Sequence, residues 1–373
     1  MRIGKPDYYD QFQCIAGACS DNCCIGWEID IDEERKRRYA EVQGRLGERL
    51  RRCIDWEESH FILQGEEERC PFLNDGNLCD LILELGEEAL CDICREHPRF
   101  YDWFDGYTEM GLGLCCEAAG RLILGRPEPM KLVAEGDVEV SCEEEFLFQA
   151  RDTAFQILQN RDKPVWERLS EFLRLADELQ ERLDFGETAE LEAGVAGAGE
   201  AGGDVVGAAE VSGKSDTDWR RKAKAYADML VICRELEPID GSWTETVNAL
   251  EKMTACWEKM ASLETSMLET ERQREYEYEH LAVYFVYRYF MKCREDGDVR
   301  SKAYLAVFCV LFIRLLDMEV YGRNGQVTAE DRVQNAKCCS KEIEYSEENL
   351  EVLADAFWER EEVSAERLQL LLR

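Results

Sequence analysis

The sequence predicts a mostly α-helical protein in which an irregular, cysteine-rich N-terminal region, held together by a metal or cluster, packs on a C-terminal helical bundle. Two observations lead to this fold class. Eleven of the 18 cysteines fall within the first 116 of the 373 residues, in groups that are too dense for ordinary core packing. From residue 142 onward, apolar residues recur at helical spacing, and strand signals are few.

The N-terminal region is assigned to residues 1–125. Here a charged helix is expected over residues 32–52, because Asp32 is a suitable N-terminal cap. A second, shorter helix is expected over residues 78–90, and small strands beside the cysteines are compatible with the pattern. The loops between these short elements would carry most of the cysteines.

Residues 126–186 are predicted to be connecting helices. Pro164 divides the amphipathic stretch at 142–185, since proline removes a helical hydrogen bond. Residues 187–216 are rich in Gly, Ala and Glu and are interpreted as a flexible linker. Gly197, Gly199 and Gly202 in this linker match a dinucleotide-binding pattern, but no strand precedes them, so the match is rejected.

Residues 217–373 are predicted to form the helical domain. Two of its segments, 276–293 and 301–321, are apolar on most faces and should lie at the centre of the bundle. The longest apolar run, 303–313, is far shorter than the ~20 residues that a membrane span needs. With no secretory signal at the N-terminus, the expected location is the cytoplasm, where thiols stay reduced.

The formal charge of −35 bears on the choice of partner. So negative a surface repels nucleic acid and anionic lipid, and neither is expected to bind. It favours a basic partner, such as a protein surface that presents lysines. Many of the acidic residues would at the same time serve only to solvate exposed helix faces.

The clustered cysteines are candidate metal ligands, because thiolates at short spacings can converge on one soft cation. Four-sulfur sites suit either zinc or an iron–sulfur cluster, and the spacing leaves both open. Cys19 and Cys23 match the start of the C-x3-C-x2-C motif of radical enzymes, but the next cysteine is at 24 rather than 26, so the motif is absent. The predicted metal ligands are Cys14, Cys19, Cys23, Cys24, Cys70, Cys79, Cys91, Cys94 and Cys115.

These residues resemble the flagellin lysine-N-methylase family, which is related to the cysteine-rich domains that chelate zinc or iron. The segments 7–15 and 19–30 are similar to the opening of that family, and 70–73, 78–79, 85–88, 91–99 and 115–119 follow its later blocks. The chain departs from the family pattern at three positions: Cys116 replaces a usual Pro, Gly120 an expected Arg, and His97 a common Tyr.

The resemblance implies methyl transfer from S-adenosylmethionine to the ε-amines of flagellin lysines. It also implies an iron–sulfur cluster in the N-terminal region, of the 4Fe–4S type, with zinc as the alternative. Such a transfer requires a neutral amine, although free lysine has a pKa of ~10.4. The tyrosines of 276–289 could line the dry channel in which the amine loses its proton.

Three arginines are candidates for binding an anion of the cofactor. Arg95 and Arg99 lie beside the cysteines, and Arg288 is the only charge between Leu281 and Met291. A cation in an apolar helix requires a buried anion, which could be the cofactor's carboxylate or a glutamate of the chain. No catalytic base can be assigned. The alternative function is a non-enzymatic metal-binding or redox-sensing protein that docks a basic partner.

Overall fold

The computed structural model describes residues 2–20, 22–134, 142–186 and 215–373. These residues are mostly helical, as the sequence predicts. Most of the predicted linker, residues 187–214, lies outside the described residues, and its last two residues begin a helix that Ser215 caps. The predicted domain boundaries and the metal that would hold the N-terminal region together remain predictions.

A four-stranded sheet in the N-terminal part is the main feature that the sequence did not predict. Its strand order is β4-β5-β1-β6, with β1 parallel to β5 and the other neighbours antiparallel. A separate short ladder joins β2 to β3. The strands are β1 (Arg2–Pro6), β2 (Ile54–Asp55), β3 (His60–Phe61), β4 (Arg99–Phe104), β5 (Tyr107–Leu112) and β6 (Leu132–Ala134).

The helices of the N-terminal part are short. They are α1 (Glu33–Glu41), α2 (Gly44–Cys53), α3 (Asp80–Leu85), α4 (Asp92–Glu96) and α5 (Glu117–Leu124). Asp32 caps α1 as expected, by accepting a hydrogen bond from the amide of Arg35. The predicted helix at 32–52 is divided in two, because Val42 is extended and Gly44 has a φ of 74°, a left-handed conformation that favours glycine.

The remaining helices follow the predicted segments closely. Pro164 separates α6 from α7, as its missing amide requires. The helices are α6 (Cys142–Leu158), α7 (Val165–Asp184), α8 (Asp216–Glu235), α9 (Trp243–Thr254), α10 (Trp257–Glu271), α11 (Glu275–Tyr289), α12 (Cys293–Asp296), α13 (Val299–Asn324), α14 (Ala329–Glu344), α15 (Glu347–Glu359) and α16 (Ala365–Leu372).

The described residues bury two separate hydrophobic cores. The smaller core lies between Ile29 and Cys91 and is built around Phe61 and Phe72. The larger core is centred on α11 and α13, whose apolar residues are buried on nearly every face. Phe104 of β4 and Tyr107 and Leu112 of β5 also belong to the larger core, so the sheet packs directly on the helical bundle.

Within the described ranges, no helix is both long enough and apolar enough to cross a bilayer. Although α13 is largely apolar, its charged residues Arg314 and Asp317 are buried in the bundle. Both form ion pairs there, Arg314 with Glu264 and Asp317 with Arg332.

Candidate functional site

Five of the predicted metal ligands line the smaller core. We call them the core thiol group: Cys24, Cys70, Cys79, Cys91 and Cys94. The backbone brings distant segments together here, since the amide of Cys70 donates to the carbonyl of Cys24 at 2.8 Å. Cys79 and Cys91 immediately precede α3 and α4, so both sulfurs lie at helix N-termini. Burial increases from the half-buried Cys24 to the fully buried Cys91.

Backbone amides surround several of these sulfurs. The amides of Phe72 and Leu73 donate to the sulfur of Cys70, and those of Leu81 and Ile82 donate to Cys79. Hydrogen bonds of this kind stabilise thiolates and tune the metals that thiolates bind. In the metal-free chain burial outweighs them and raises the pKa of the Cys70 thiol to about 12. Deprotonation would therefore require a nearby positive charge.

The pair Cys91 and Cys94 shares a hydrogen bond between its thiols. This bond lowers the pKa of Cys91 and raises that of Cys94. Cys24 is similarly bonded to Cys23, which raises the pKa of Cys24. Cys24 and Cys94 also repel each other electrostatically when charged, as do Cys24 and Cys70. A bound cation would relieve that repulsion.

A second set of thiols lies where the N-terminal loop meets α5. Cys116 is half-buried, and its pKa is raised to about 11 by burial, with smaller contributions from Cys23 and Cys19. The amides of Ala118 and Ala119 donate to its sulfur. We call Cys19, Cys23 and Cys116 the seam thiol group. Cys14 is exposed, with its sulfur 3.4 Å from the amide of Ala16.

Glu117 connects the seam thiol group to the helical bundle. Its side chain is 1% exposed. One carboxylate oxygen accepts hydrogen bonds from the Ser20 amide at 2.9 Å, the Ser20 hydroxyl and the Cys19 thiol at 3.6 Å. Gln334 of α14 donates to the Ser20 hydroxyl at 3.0 Å. Glu117 also pairs with Arg121, one turn along α5. A single buried carboxylate thus holds the cysteine loop against two helices.

Replacing Glu117 with Gln should loosen this loop. The change removes the charge from hydrogen bonds to Ser20 and Cys19, and such bonds contribute about 1.5–3 kcal/mol each. Loss of about 1.4 kcal/mol would increase the population of the open loop roughly tenfold, since that energy is a factor of ten in an equilibrium constant. Alkylation of Cys19 and Cys23, followed by peptide mass mapping, should therefore accelerate about tenfold.

Glu330 provides the matched control for this substitution. It also binds Arg121, at 2.9 Å, but is about half-exposed and is linked to the cysteine loop only through Gln334, which donates to it at 3.0 Å. Alkylation in the Glu330→Gln variant should match the unaltered protein. Equal rates in both variants would show that Glu117 does not anchor the loop.

Cys115 lies apart from both thiol groups. It is buried, and its sulfur is 2.6 Å from the hydroxyl of Tyr345, which follows α14. Burial raises its pKa to about 12. A Cβ on Gly113 would lie 3.2 Å from both the Cys115 sulfur and Nη1 of Arg288, so the backbone approaches both groups closely. The adjacent cysteines 115 and 116 therefore belong to different surroundings.

Arg288 is part of a buried polar network on α11. Its Nε lies 3.0 Å from a carboxylate oxygen of Glu344, and its Nη1 donates to the Tyr284 hydroxyl at 2.8 Å. Glu344 also accepts from Tyr284 at 2.8 Å and from Tyr289 at 3.1 Å. The guanidinium lies 4.8 Å from the centroid of the Phe100 ring. Glu344 is thus the buried anion that the sequence requires.

The third guanidinium nitrogen of Arg288, Nη2, makes no hydrogen bond to any residue of the described chain. Burial raises the pKa of Tyr284 and Tyr289 well above the ordinary range, so both hydroxyls keep their protons. The network therefore contains one cation, Arg288, which can donate a further hydrogen bond through Nη2 and is surrounded by aromatic rings.

Arg95, in α4, and Arg99, the first residue of β4, differ in their partners. Arg95 is paired with Asp92 at 2.6 Å and with Glu96 at 3.1 Å, so its charge is already balanced. Arg99 lies over the rings of Tyr9 and Phe12, at 5.9 and 5.2 Å, and no carboxylate of the described residues pairs with it. The Tyr9 hydroxyl lies beside Arg99 and Tyr101.

The thiols are of a chemical type that binds metals, but their side chains do not converge on one point. Among the residues that the structure describes, no three His, Cys, Asp or Glu side chains are placed to hold one ion. The core thiol group nevertheless offers several sulfurs with amide donors. This donor set fits a group that binds thiolates, once the side chains rotate toward a common point.

Comparison with protein families places these features in context. The model of the FliB lysine N-methylase C-terminal domain matches residues 151–371, which is more than half of the chain. The chain belongs to the FliB lysine N-methylase family. The match includes α11 and α14, and therefore Arg288 and Glu344, whereas the thiol groups lie before it.

Relatives of this family are found among flagellar proteins of Salmonella. The chain is 27% identical to the flagellar biosynthetic protein FliU of Salmonella muenchen, over 35% of this chain and 82% of that protein. It is 24% identical to lysine-N-methylases of Salmonella typhimurium and Salmonella choleraesuis, over 40% of this chain and 39% of theirs. The chain thus aligns with less than half of the lysine-N-methylases. No solved structure matches it.

Sequence reasoning did not single out Glu344, Tyr345 or the role of Glu117. Glu344 ends an ordinary charged helix, so no local pattern marks it as buried. Cys116 was left out of the ligand set, although it lies near Cys19 and Cys23. A signal for Cys116 was present, because it immediately precedes α5 and sulfurs at helix N-termini receive amide hydrogen bonds.

Proposed function

We propose that this protein is a protein-lysine N-methyltransferase that uses S-adenosylmethionine and acts on flagellin lysines. The observation that carries the proposal is the family match over residues 151–371, which contain the buried network of Arg288, Glu344 and the α11 tyrosines. The relatives named lysine-N-methylase support the reaction, and the one named for flagellar biosynthesis supports the substrate.

The charge of the chain fits a lysine-bearing substrate. A formal charge of −35 attracts basic protein surfaces over distances of about a Debye length, ~8 Å at physiological salt. The same charge would keep a bound lysine protonated, so its amine must be neutralised farther inside. The α11 tyrosines lie in a buried, aromatic environment that disfavours an ammonium ion.

Two arginines are suited to bind the carboxylate of the cofactor. Arg99 has no carboxylate partner in the described chain, and Nη2 of Arg288 is an open donor. Arg95 would have to break two existing ion pairs to bind the cofactor, and we therefore rank it last of the three arginines. When bound, S-adenosylmethionine would supply a methyl group on a positively charged sulfur.

The protein's own residues would position and shield the reacting groups. Glu344 fixes the orientation of Arg288 through Nε, which leaves the guanidinium unable to swing away. The rings of Phe100 and Tyr289 exclude water on two sides of the guanidinium and present aromatic faces, which attract cations. A lysine amine that enters such a site loses hydration, and its pKa falls.

The thiol groups are proposed to hold an iron–sulfur cluster, of the 4Fe–4S type, with zinc as the alternative metal. The core thiol group would supply most of the ligands, and Cys14, the seam thiol group and Cys115 remain further candidates. A bound cluster would offset the mutual repulsion of the thiolates. The amide donors around Cys70 and Cys79 support this assignment.

The test is a methylation assay combined with cofactor binding. Anaerobically purified protein is incubated with flagellin and labelled S-adenosylmethionine, and lysine methylation is read by mass spectrometry. Arg99→Met should weaken cofactor binding, measured by calorimetry, about tenfold or more, because a charge-assisted hydrogen bond contributes about 1.5–3 kcal/mol. Arg95→Met, in which the lost charge was already balanced, should bind nearly as well as the unaltered protein.

Two results would contradict the proposal. Cofactor binding without any methylated lysine on flagellin would exclude flagellin as the substrate. Failure to bind S-adenosylmethionine at all, with metal present, would favour the non-enzymatic metal-binding or redox-sensing function. Equal weakening by Arg95→Met and Arg99→Met would mean that neither residue holds the carboxylate.

A further inference from the structure

Lys292 lies at the edge of the Arg288 network. It ends the 3-10 turn Phe290–Lys292, which continues directly from α11 and places Lys292 about one turn after Arg288. Its ammonium lies 5.0 Å from the centroid of the Tyr289 ring, and the hydroxyl of that tyrosine binds Glu344. The side chain is nonetheless exposed, so a reagent can reach it.

The amine of Lys292 has no carboxylate within ion-pair distance in the described part of the chain. This is notable in a protein with 80 acidic residues. Lys302, on the neighbouring α13, lies 2.6 Å from Asp296, and Lys224 lies 2.8 Å from Asp228. The nearest strong charge to Lys292 on its own element is the cation of Arg288.

These surroundings disfavour the charged form of the amine. Burial around the nitrogen and the positive charge of Arg288 lower the pKa of Lys292. Asp102, Glu295 and Glu344 act in the opposite direction without reversing the effect. The exposed fraction describes the whole side chain, whereas the nitrogen itself lies against the Tyr289 face. Methylation requires a neutral amine, and the amine of Lys292 loses its proton more readily than that of an ordinary lysine.

We propose that Lys292 is itself a methylation site, modified by the protein's own methyl-transfer activity. This inference rests on the proposed function and on cofactor binding at Arg288. In the reaction, the lone pair of neutral Nζ forms a bond to the methyl carbon. The bond between that carbon and the sulfonium sulfur breaks, and its electrons stay on sulfur, which leaves as the thioether of S-adenosylhomocysteine. The proton released by Nζ goes to water.

Methylation would suit the place that Lys292 occupies. A methylated lysine keeps its positive charge but is less strongly hydrated, so it interacts well with an aromatic face. The Tyr289 ring is already in position to receive it. No new contact with an acidic residue is required.

The experiment uses the full-length protein, purified anaerobically with its metal content intact. It is incubated with S-adenosylmethionine that carries a trideuterated methyl group, with and without flagellin. The protein is then digested at acidic residues and mapped by mass spectrometry. Lys292 should carry the label, and Lys302 in the same sample should carry little or none, because its amine is held in an ion pair with Asp296.

Lys292→Arg is the second control, since it keeps the charge and removes the acceptor amine. Its flagellin methylation should persist while the labelled peptide disappears. Each outcome of the experiment is decisive. Label on flagellin without label on Lys292 overturns this inference and leaves the proposed function standing. Label on neither flagellin nor Lys292 overturns the inference and the proposed function together. Label on Lys292 alone supports the inference and excludes flagellin as the substrate. Equal labelling of Lys292 and Lys302 overturns it as non-selective chemistry.

Discussion

Replacing Cys70 or Cys91 with Ser is expected to remove bound metal and methyl transfer together. Both sulfurs are buried in the smaller core, and both receive backbone hydrogen bonds that suit a thiolate. Serine is a poor ligand for the soft metals that thiolates bind. Iron and sulfide per chain, measured after anaerobic purification, should fall about tenfold or more. Even the loss of a residue that only supports a metal ligand lowers metal affinity about 10- to 100-fold.

Cys53 provides the matched control for these variants. It packs against the same small core but ends α2, away from the core thiol group. Cys53→Ser should therefore change the metal content little, while it alters packing at the edge of the same core. If all three variants kept their metal, the core thiol group would not be the binding site. If all three lost it, the loss would reflect unfolding of the small core rather than removal of a ligand.

The helical bundle could be predicted because its pattern is local. The segment 301–321 is apolar on most faces, and α13 is buried on nearly all of them. Pro164 could be assigned as a helix break from its missing amide alone. The sheet could not be predicted in this way, since β1 pairs with β5 across about a hundred residues, with Arg2 opposite Tyr107. Such pairing depends on tertiary contacts that no short window contains.

The candidate site was predictable in its chemistry but not in its partners. The lone cation on α11 implied a buried anion, yet nothing in the sequence distinguishes Glu344 from the other acidic residues. The ligand set was drawn from spacing, which does not show which neighbours each of two adjacent cysteines faces. The extended backbone at Cys116 sends its sulfur toward Cys19 and Cys23, whereas Cys115 contacts Tyr345.

Replacing Arg332 with Met is expected to lower the free energy of unfolding by about 3–5 kcal/mol, the usual cost of breaking a buried ion pair. Arg332, on α14, is fully buried and pairs with Asp317 at 2.9 Å and Glu277 at 2.6 Å. Glu277 keeps Arg274 as a partner at 2.8 Å. Among the described residues, Asp317 keeps only the neutral donors Tyr278 and Asn335, so its uncompensated charge accounts for most of the cost.

Urea unfolding followed by circular dichroism measures this loss, and two further variants isolate its cause. Arg323→Met removes an exposed cation that pairs with Glu319 on the same helix face, and such pairs contribute about 0.3–0.5 kcal/mol. Asp317→Asn in the Arg332→Met background removes the stranded charge and should restore part of the stability. No recovery in the double variant would mean that packing of the arginine stem, rather than charge, holds α14 against α13. Because α14 also carries Gln334 and Glu344, the outcome decides whether one buried cation keeps both the cysteine loop and the Arg288 network in register with the bundle.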